Sequence, residues 1–375
     1  SEREALISIG FWPGGDRDGN PYVSSEITRS VADKLRARII ECYHGEVRSL
    51  RRRLSFSGVI HKIEAIEHQL HLELTNQIER CYGNPGELIT ELDSIRVILE
   101  NDFQGLFVEK IDSFKRKIHA FGFHFASLDI RQDSRIINKA LSDVFTHQPE
   151  LKPATFDNQD ELEQIESLLS LGGLVNLARI ENALSKDTLE SLYAIKEIQE
   201  ANGEHACHRY IISNCRGAID VARLFALFRL CGWNDNDLSV DIIPLFETIL
   251  DLKNSEKSMR ILYESLNYRE HLTRRSNKQT MMLGFSDGTK DGGYLMANWA
   301  IYSAKECLTR VSRLFEVEAC FFDGRGGPPA RGGGSTYKFY SSLGKDIEAN
   351  QIQLTVQGQT ISSYYGTEIG AIHNL

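Results

Sequence analysis

No stretch of this 375-residue chain is apolar over the length that a bilayer crossing needs, and a secretory leader is not expected. A soluble, cytoplasmic protein with no membrane partner is the expectation. Basic excess is missing too: 43 Lys and Arg face 52 Asp and Glu, a formal charge of -9. That balance argues against nucleic acid, whose phosphate backbone needs a basic surface. It leaves small anions open, because a few arginines in one cleft outweigh the global charge locally. Cysteines number seven, an odd count, and none are spaced as C-x-x-C. Free thiols in a reducing compartment fit this pattern; a disulfide frame or a zinc site does not. Compositional bias of the fibrous or disordered kind is also absent, and 41% hydrophobic residues suffice for a large core.

From Ser25 to about Lys117 the pattern is helical. Ser24 and Ser25 can cap a start, and Ile27, Val31, Leu35 and Ile39 recur at helical spacing. Turns at Phe56–Gly58 and Gly83–Gly86 divide the region into long helices. The run Arg48, Arg51, Arg52, Arg53 reads as a solvated helix face. After Phe121, short apolar segments (FHFASLDI, RYIISN, SVDIIPLF, TMMLGF, ACFFD, IQLTV) alternate with amphipathic ones such as 217–231 and 293–317. Strand–helix alternation with buried strands predicts a parallel sheet, open or closed into a barrel. The expected organisation is a helical region over 1–118 with the loop GGDRDGNP, and a partial β/α barrel over 119–375. Residues 146–160 read as a surface insertion. Both ends of the chain read as cut.

Each predicted strand delivers polar groups at its C-terminal end: Arg131, Ser213 with Asn214, Glu247, Ser286 with Asp287, Arg325 and Gln357. In a β/α barrel that rim builds the active site. Glu247 and Asp287 leave adjacent strand–helix units at equivalent positions, so they can share a hard divalent ion such as Mg2+ or Mn2+; the plainer alternative is that each caps the helix after it. Lys290 either pairs with Asp287 or Asp291, or offers its ammonium to an anion. The segment GRGGPPARGGG (324–334) sets Arg325 and Arg331 among six glycines and two prolines. Arginine grips phosphate or carboxylate with a planar fork, and a glycine-rich, mobile loop lets two such forks close over an oxyanion. An RNA-binding RGG segment needs repetition and a basic context, which this single copy lacks. GGDRDGNP (14–21) lacks the spacing of a calcium loop and is either a structural turn or a ligand contact. The residues thus reach a metal-dependent enzyme acting on a phosphate-bearing carboxylate, and stop short of the reaction.

At these residues the sequence resembles the phosphoenolpyruvate carboxylase family. FWPGGDRDGNPYV is similar to its W-x-G-G-D-R-D-G-N-P-x-V block, FHFASLDIRQDS to L-D-I-R-Q-E-S, and VDIIPLFETILDL to P-L-F-E-T. MLGFSDGTKDGG resembles G-Y-S-D-S-x-K-D-A-G, GRGGPPARGGGSTY resembles G-R-G-G-x-x-G-R-G-G-G-P-T, and TVQGQTI resembles T-E-Q-G-E-x-I. Six blocks in the family's order are specific. The resemblance implies a TIM-type β/α barrel of the phosphoenolpyruvate/pyruvate-utilising kind set among many helices. It implies an anaplerotic lyase that fixes carbon dioxide and feeds the tricarboxylic acid cycle: phosphoenolpyruvate and bicarbonate give oxaloacetate and inorganic phosphate by way of carboxyphosphate and an enolate. On the same footing Glu247 and Asp287 bind Mg2+ or Mn2+, while Arg131, Arg325 and Gln357 hold substrate. Lys290 and Arg331 are catalytic, Trp12 and Arg17 have a less defined role, and the whole protein is a homo-oligomer, the family being usually tetrameric.

Departures from the family pattern are local. Asp323 stands where histidine commonly precedes the first G-R-G-G, Ala330 replaces a glycine, Pro328 and Pro329 stiffen the segment, and Val356 and Gln359 replace glutamates. None of the eleven histidines lies in the family's T-x-H-P-T motif, so the 375 residues by themselves are expected to be inactive. Two competing readings are a non-catalytic homologue that keeps the anion site and another metal-dependent barrel enzyme of phosphoenolpyruvate or pyruvate.

Overall fold

The computed structural model describes residues 7–20, 22–234, 237–284, 286–324, 336–356 and 358–374; the side chains of 286–292, 336–338, 359 and 360 lie outside the description. Two compact units divide the chain: residues 1–130 with 190–208, and residues 131–189 with 209–375.

The first unit opens with the short strand β1 (Gly10–Phe11), followed by helices α1 (Ser25–Arg51), α2 (Ile60–Leu74), α3 (Pro85–Asp102) and α4 (Val108–Phe121). Their sequences state their own boundaries. Ser24 accepts from Ile27 N at the head of α1, with Glu26 in its first turn and Arg48 and Arg51 in its last. Asn84 caps α3 and Pro85 occupies its first turn, where the missing N–H and preset φ cost nothing. Each helix buries one stripe at three- and four-residue spacing, for example Ile39, Ile40, Tyr43, Val47 and Leu50 of α1, which packs on α2 with its Ile63, Ile66 and Leu70. Tyr43 sits at the middle of this core, edge-on to Phe114 at 5.5 Å, with its hydroxyl donating to Gly122 O at 2.7 Å. Arg48 and Arg51, expected to be solvated, face Glu67 of α2 at 3.8 and 2.8 Å and remain half-exposed.

A buried ion pair ties α1 to α2. Arg36 Nε donates to Glu73 at 2.7 Å, and Cys81 N donates to the other Glu73 oxygen, also at 2.7 Å. Burial alone raises the Glu73 carboxyl, but the bonds from Arg36 and Cys81 outweigh it, so its pKa lies below the ordinary range.

Strand β2 (Ser127–Asp133) follows, then helices α5 (Ser134–His147), α6 (Glu161–Leu169) and α7 (Ala183–Asn202). The surface insertion carries only two short 3-10 turns, at Pro149–Leu151 and Phe156–Asn158. Strand and helix then alternate: β3 (Arg209–Ser213), α8 (Ala218–Leu230), β4 (Asp241–Phe246), α9 (Ile249–Glu264), α10 (Leu266–Arg274), β5 (Lys278–Gly284), α11 (Ser286–Leu314), β6 (Glu318–Gly324), α12 (Thr336–Ser341), β7 (Ile352–Leu354), α13 (Gly358–Tyr365) and α14 (Glu368–Asn374). The strand order is β1 through β7 without permutation, and β1–β2, β3–β4, β4–β5, β5–β6 and β6–β7 are parallel. Sequential parallel order with helical crossovers is the arrangement of a β/α barrel wall, and the fold is α/β as expected. The central strands read as apolar runs because they are buried on both faces: every residue of β3 and all but the first of β4 are buried. Among the described residues no helix is long and apolar enough to cross a membrane.

Candidate active site

Strand ends deliver the candidate groups, and helix starts fix them. Glu247 follows the last residue of β4 and precedes Thr248, the N-cap of α9. Thr248 accepts from Asp251 N at 3.1 Å while its own N–H donates to Asp251 Oδ2 at 3.1 Å, a reciprocal cap that fixes the turn carrying Glu247. Arg131 lies on β2, and its Nη2 stands 4.0 Å from Glu247 Oε1. Their side chains are 20% and 17% exposed, so both groups are held in a partly desolvated rim with a way out to solvent. Neighbouring strand ends are stitched together by Ser134 Oγ, which donates to Asn214 O at 2.7 Å, and by Cys215 N, which donates to Leu245 O at 3.3 Å.

Gly284 closes the strand on the other side. A Cβ added there would stand 3.0 Å from Glu247 Cα and 3.3 Å from Phe246 O. Backbone cannot swing aside as a side chain does, so glycine is what lets the end of β5 come against Glu247. The helical segment after β5 is interrupted at Gly293, whose φ of 79° is non-helical. Asp287 and Lys290 therefore stand on a short helical stretch just beyond β5, and their side chains lie outside the description. Arg325, Arg331 and Gln357, like Ala330, fall outside the described residues altogether. Of the nine candidate residues, the structure thus brings together Arg131 and Glu247.

The donor chemistry of this rim suits a hard divalent cation. Glu247 offers carboxylate oxygens, and the buried Ser213 Oγ at the end of β3 has no hydrogen-bond partner among the described residues. Cys215 does not compete as a soft ligand: burial, reinforced by the charge of Asp220, pushes its thiol well above the ordinary range. No group of three His, Cys, Asp or Glu side chains suited to a metal occurs among the described residues.

Trp12 and Arg17 belong to the first unit. Trp12 Nε1 donates to Asp129 Oδ2 of β2 at 3.0 Å, and the N–H groups of Gly15 and Asp16 return to Trp12 O at 2.9 Å. The turn lies so close to β2 that a Cβ on Gly15 would stand 2.0 Å from Asp129 O. Arg17 is buried, 5% exposed. The role of Asp129 as the turn's anchor was not legible: its spacing from Trp12 is 117 residues, and its alternation in β2 with Arg131 is the only local signal. A second constellation also escaped sequence reasoning. Asp323, at the end of β6, is ion-paired with Lys305 of α11 at 2.8 Å. The available signal was a lysine beside the apolar stripe Ala297, Ala300, Ala304, Leu308, Val311.

Comparison with known proteins agrees with this architecture. The family model described as phosphoenolpyruvate carboxylase matches residues 1–77 and 61–375. The chain is 31% identical over 419 aligned positions to the phosphoenolpyruvate carboxylase of Nitrosomonas europaea, covering 98% of this chain and 44% of the relative. Identity is 30% to that of Nocardia farcinica, at 98% and 45% coverage, and 30% to that of Parasynechococcus marenigrum, at 99% and 44%. The chain spans less than half the length of these relatives. With a match over the whole chain and a parallel sheet in barrel order, the chain belongs to the phosphoenolpyruvate carboxylase family.

Proposed function

We propose that these residues form the metal- and phosphoenolpyruvate-binding part of a phosphoenolpyruvate carboxylase, which converts phosphoenolpyruvate and bicarbonate to oxaloacetate and inorganic phosphate in the cytoplasm. The observation that carries the reading is the approach of Arg131 to Glu247, 4.0 Å apart and partly buried at the C-terminal ends of parallel strands. A guanidinium and a carboxylate at that rim suit an anion and its counter-cation. Glu247 with Asp287 would hold Mg2+ or Mn2+, and the ion would supply Lewis-acid stabilisation of charge on phosphoryl and enolate oxygens. Arg131 and Arg325 would hold the phosphate and carboxylate of the substrate, with Gln357 hydrogen-bonding beside them. Lys290 and Arg331 would place positive charge where the transferring phosphoryl group and bicarbonate meet, a role whose value comes from being in position before charge develops. A homo-oligomeric whole protein goes with this reading.

The test uses the full-length gene product with phosphoenolpyruvate, bicarbonate and Mg2+, oxaloacetate being reduced by malate dehydrogenase and NADH. Turnover is expected, abolished by a chelator and lowered at least about a hundredfold by Glu247→Gln. Phosphoenolpyruvate binding without oxaloacetate formation would instead support a non-catalytic anion-binding homologue, the reading towards which Asp323, Val356 and Gln359 lean.

A further inference from the structure

Alternation along β6 sorts the sheet into two faces. Phe321 and Asp323 turn towards α11: Lys305 Nζ stands 5.4 Å from the Phe321 ring centre and is ion-paired with Asp323 at 2.8 Å. Phe322 and Gly324 therefore lie on the opposite face. The ladder carries that face to the neighbouring strands. Met282 of β5 and Gln353 of β7 are the register partners of Phe322, and Leu245 of β4 is that of Met282. Ser213, the last residue of β3, comes beside Leu245, one step past the pair Ile212 and Pro244.

One step nearer the strand ends, Gly284 pairs with Gly324. Thr355 N donates to Asp323 O at 3.2 Å, which carries the ladder past Leu354 and sets Thr355 beside Gly324. On the other side, a Cβ added to Gly284 would meet Cα and Cγ of Glu247 at 3.0 and 3.3 Å, so the glutamate side chain crosses the same face. This row thus runs Glu247, Gly284, Gly324, Thr355: a carboxylate and a hydroxyl at its ends, bare backbone between them. The bare stretch is closely backed, since a Cβ on Gly324 would stand 3.2 Å from Met282 Cε. At about 4.8 Å per strand, β4 and β7 lie roughly 14 Å apart along the wall. A glutamate with its cation reaching in from one end, and a threonine from the other, leave room for a short, flat acid.

The row beneath repeats the order, with Ser213 and Gln353 at its ends and Leu245, Met282 and Phe322 between them. Three oxygens of these rows, Ser213 Oγ, Gln353 Oε1 and Thr355 Oγ1, are buried and have no hydrogen-bond partner among the described residues. Such a group is costly to fold around unless water or a ligand supplies its partner. Of the three, Thr355 shares its row with Glu247.

We propose that the Thr355 hydroxyl is a substrate-binding group. It donates to an oxyanion of a small phosphorylated acid that lies across Gly284 and Gly324, with the other end of the acid at Arg131 and Glu247. The hydroxyl is in place on the sheet before substrate arrives, so its contribution falls on ground and transition states alike. The identity of the substrate rests on the carboxylase reading; the presence of a binding hydroxyl does not.

The test compares Thr355→Val, which keeps the shape and loses the O–H, with Thr355→Ser, which keeps the O–H and loses the methyl group, both in the full-length protein. Thr355→Val should raise KM for phosphoenolpyruvate about tenfold, with kcat within about threefold and Tm unshifted. It should weaken binding of 2-phosphoglycolate, a phosphate-bearing carboxylate with no enol to carboxylate, by the same factor in calorimetry with Mn2+ present. Thr355→Ser should stay within about threefold of the unsubstituted protein in both measurements. Mn2+ affinity, read by electron paramagnetic resonance, should be unchanged in both variants, because the cation belongs to the other end of the row. A valine variant that binds as the unsubstituted protein does, or a serine variant as weak as the valine one, overturns the proposal. Normal turnover with KM and 2-phosphoglycolate binding unmoved by valine counts against this inference alone. Absent turnover, with 2-phosphoglycolate binding that weakens in Thr355→Val and survives in Thr355→Ser, counts against the carboxylase reading alone. An unsubstituted protein that neither turns over nor binds 2-phosphoglycolate overturns both.

Discussion

Arg131 and Arg331 carry the same guanidinium in different sequence contexts, which predicts different kinetic signatures. Arg131 lies on a regular strand, partly buried beside Glu247, so its fork is in place before substrate arrives. Removing it takes binding from ground and transition states alike. In the full-length protein, Arg131→Ala is expected to raise KM for phosphoenolpyruvate by roughly 10–100-fold, the equivalent of one charge-assisted hydrogen bond, with kcat lowered as well. Arg331, within a glycine-rich stretch and proposed to face bicarbonate, would contribute mainly as charge develops. Arg331→Ala is expected to lower kcat by about two to three orders of magnitude with a small change in KM. Initial-rate measurements with phosphoenolpyruvate and bicarbonate varied separately check both; an Arg331→Ala effect confined to KM would reverse the assignment of roles.

Among the elements, α10 makes stability depend on pH. His271 is 1% exposed, packed against Phe225 at 5.5 Å and Tyr268 at 5.9 Å. Burial, then the positive charges of Arg275 and Arg274, lowers its pKa from 6.5 to about 3. Because the folded value lies below the unfolded one, the stability held by the neutral ring is complete above pH 6.5 and is lost as pH falls towards 3. By pH 5 the loss from this residue is about 2 kcal/mol. His124 of the first unit, lowered to about 4 chiefly by burial, acts in the same direction. Urea unfolding at pH 7 and pH 5 measures the effect, and His271→Leu should flatten the difference by about the amount stated even if it lowers stability at both values. An unchanged pH dependence in that variant would mean that the ring is protonated in the folded state.

The same scale shows what a sequence makes legible. Strands β3 to β6 stand out because parallel strands buried on both faces are apolar through their middles, as IIPLF and ACFF are. Helices α1 and α3 were legible from Ser24 and from Asn84 with Pro85, whose capping chemistry is local. The Gly293 break fell where the sequence placed the start of the following helix. Contacts made across the chain left no local sign: nothing near residue 190 announces that 190–208 belongs with the first unit. Nothing near Asp323 announces Lys305, because a buried lysine looks like any other until its partner is known. In the candidate site, Arg131 and Glu247, singled out by strand-end position, stand 4.0 Å apart, while nothing local in the sequence marks Ser213 as a buried hydroxyl without a hydrogen-bond partner among the described residues.

For the whole molecule the question is which residues act as one unit in catalysis. The 375 residues contain the candidate metal carboxylates, the candidate anion-binding arginines and Lys290, but no histidine in a T-x-H-P-T context. They span 44% of the length of the carboxylases they match at about 30% identity. Groups that act together on one transition state fail together when one is withheld, so partial sets do not give proportionate partial rates. The 375-residue chain on its own is therefore expected to fold and to show no oxaloacetate formation above background. Each unit has a buried core of its own, with Tyr43 and the Arg36–Glu73 pair buried in the first and β3 to β6 in the second. Circular dichroism with cooperative thermal unfolding reports the folding, and the malate dehydrogenase-coupled assay at saturating Mg2+, phosphoenolpyruvate and bicarbonate reports the activity. Turnover that disappears in Lys290→Ala would show that these residues already hold a complete catalytic set.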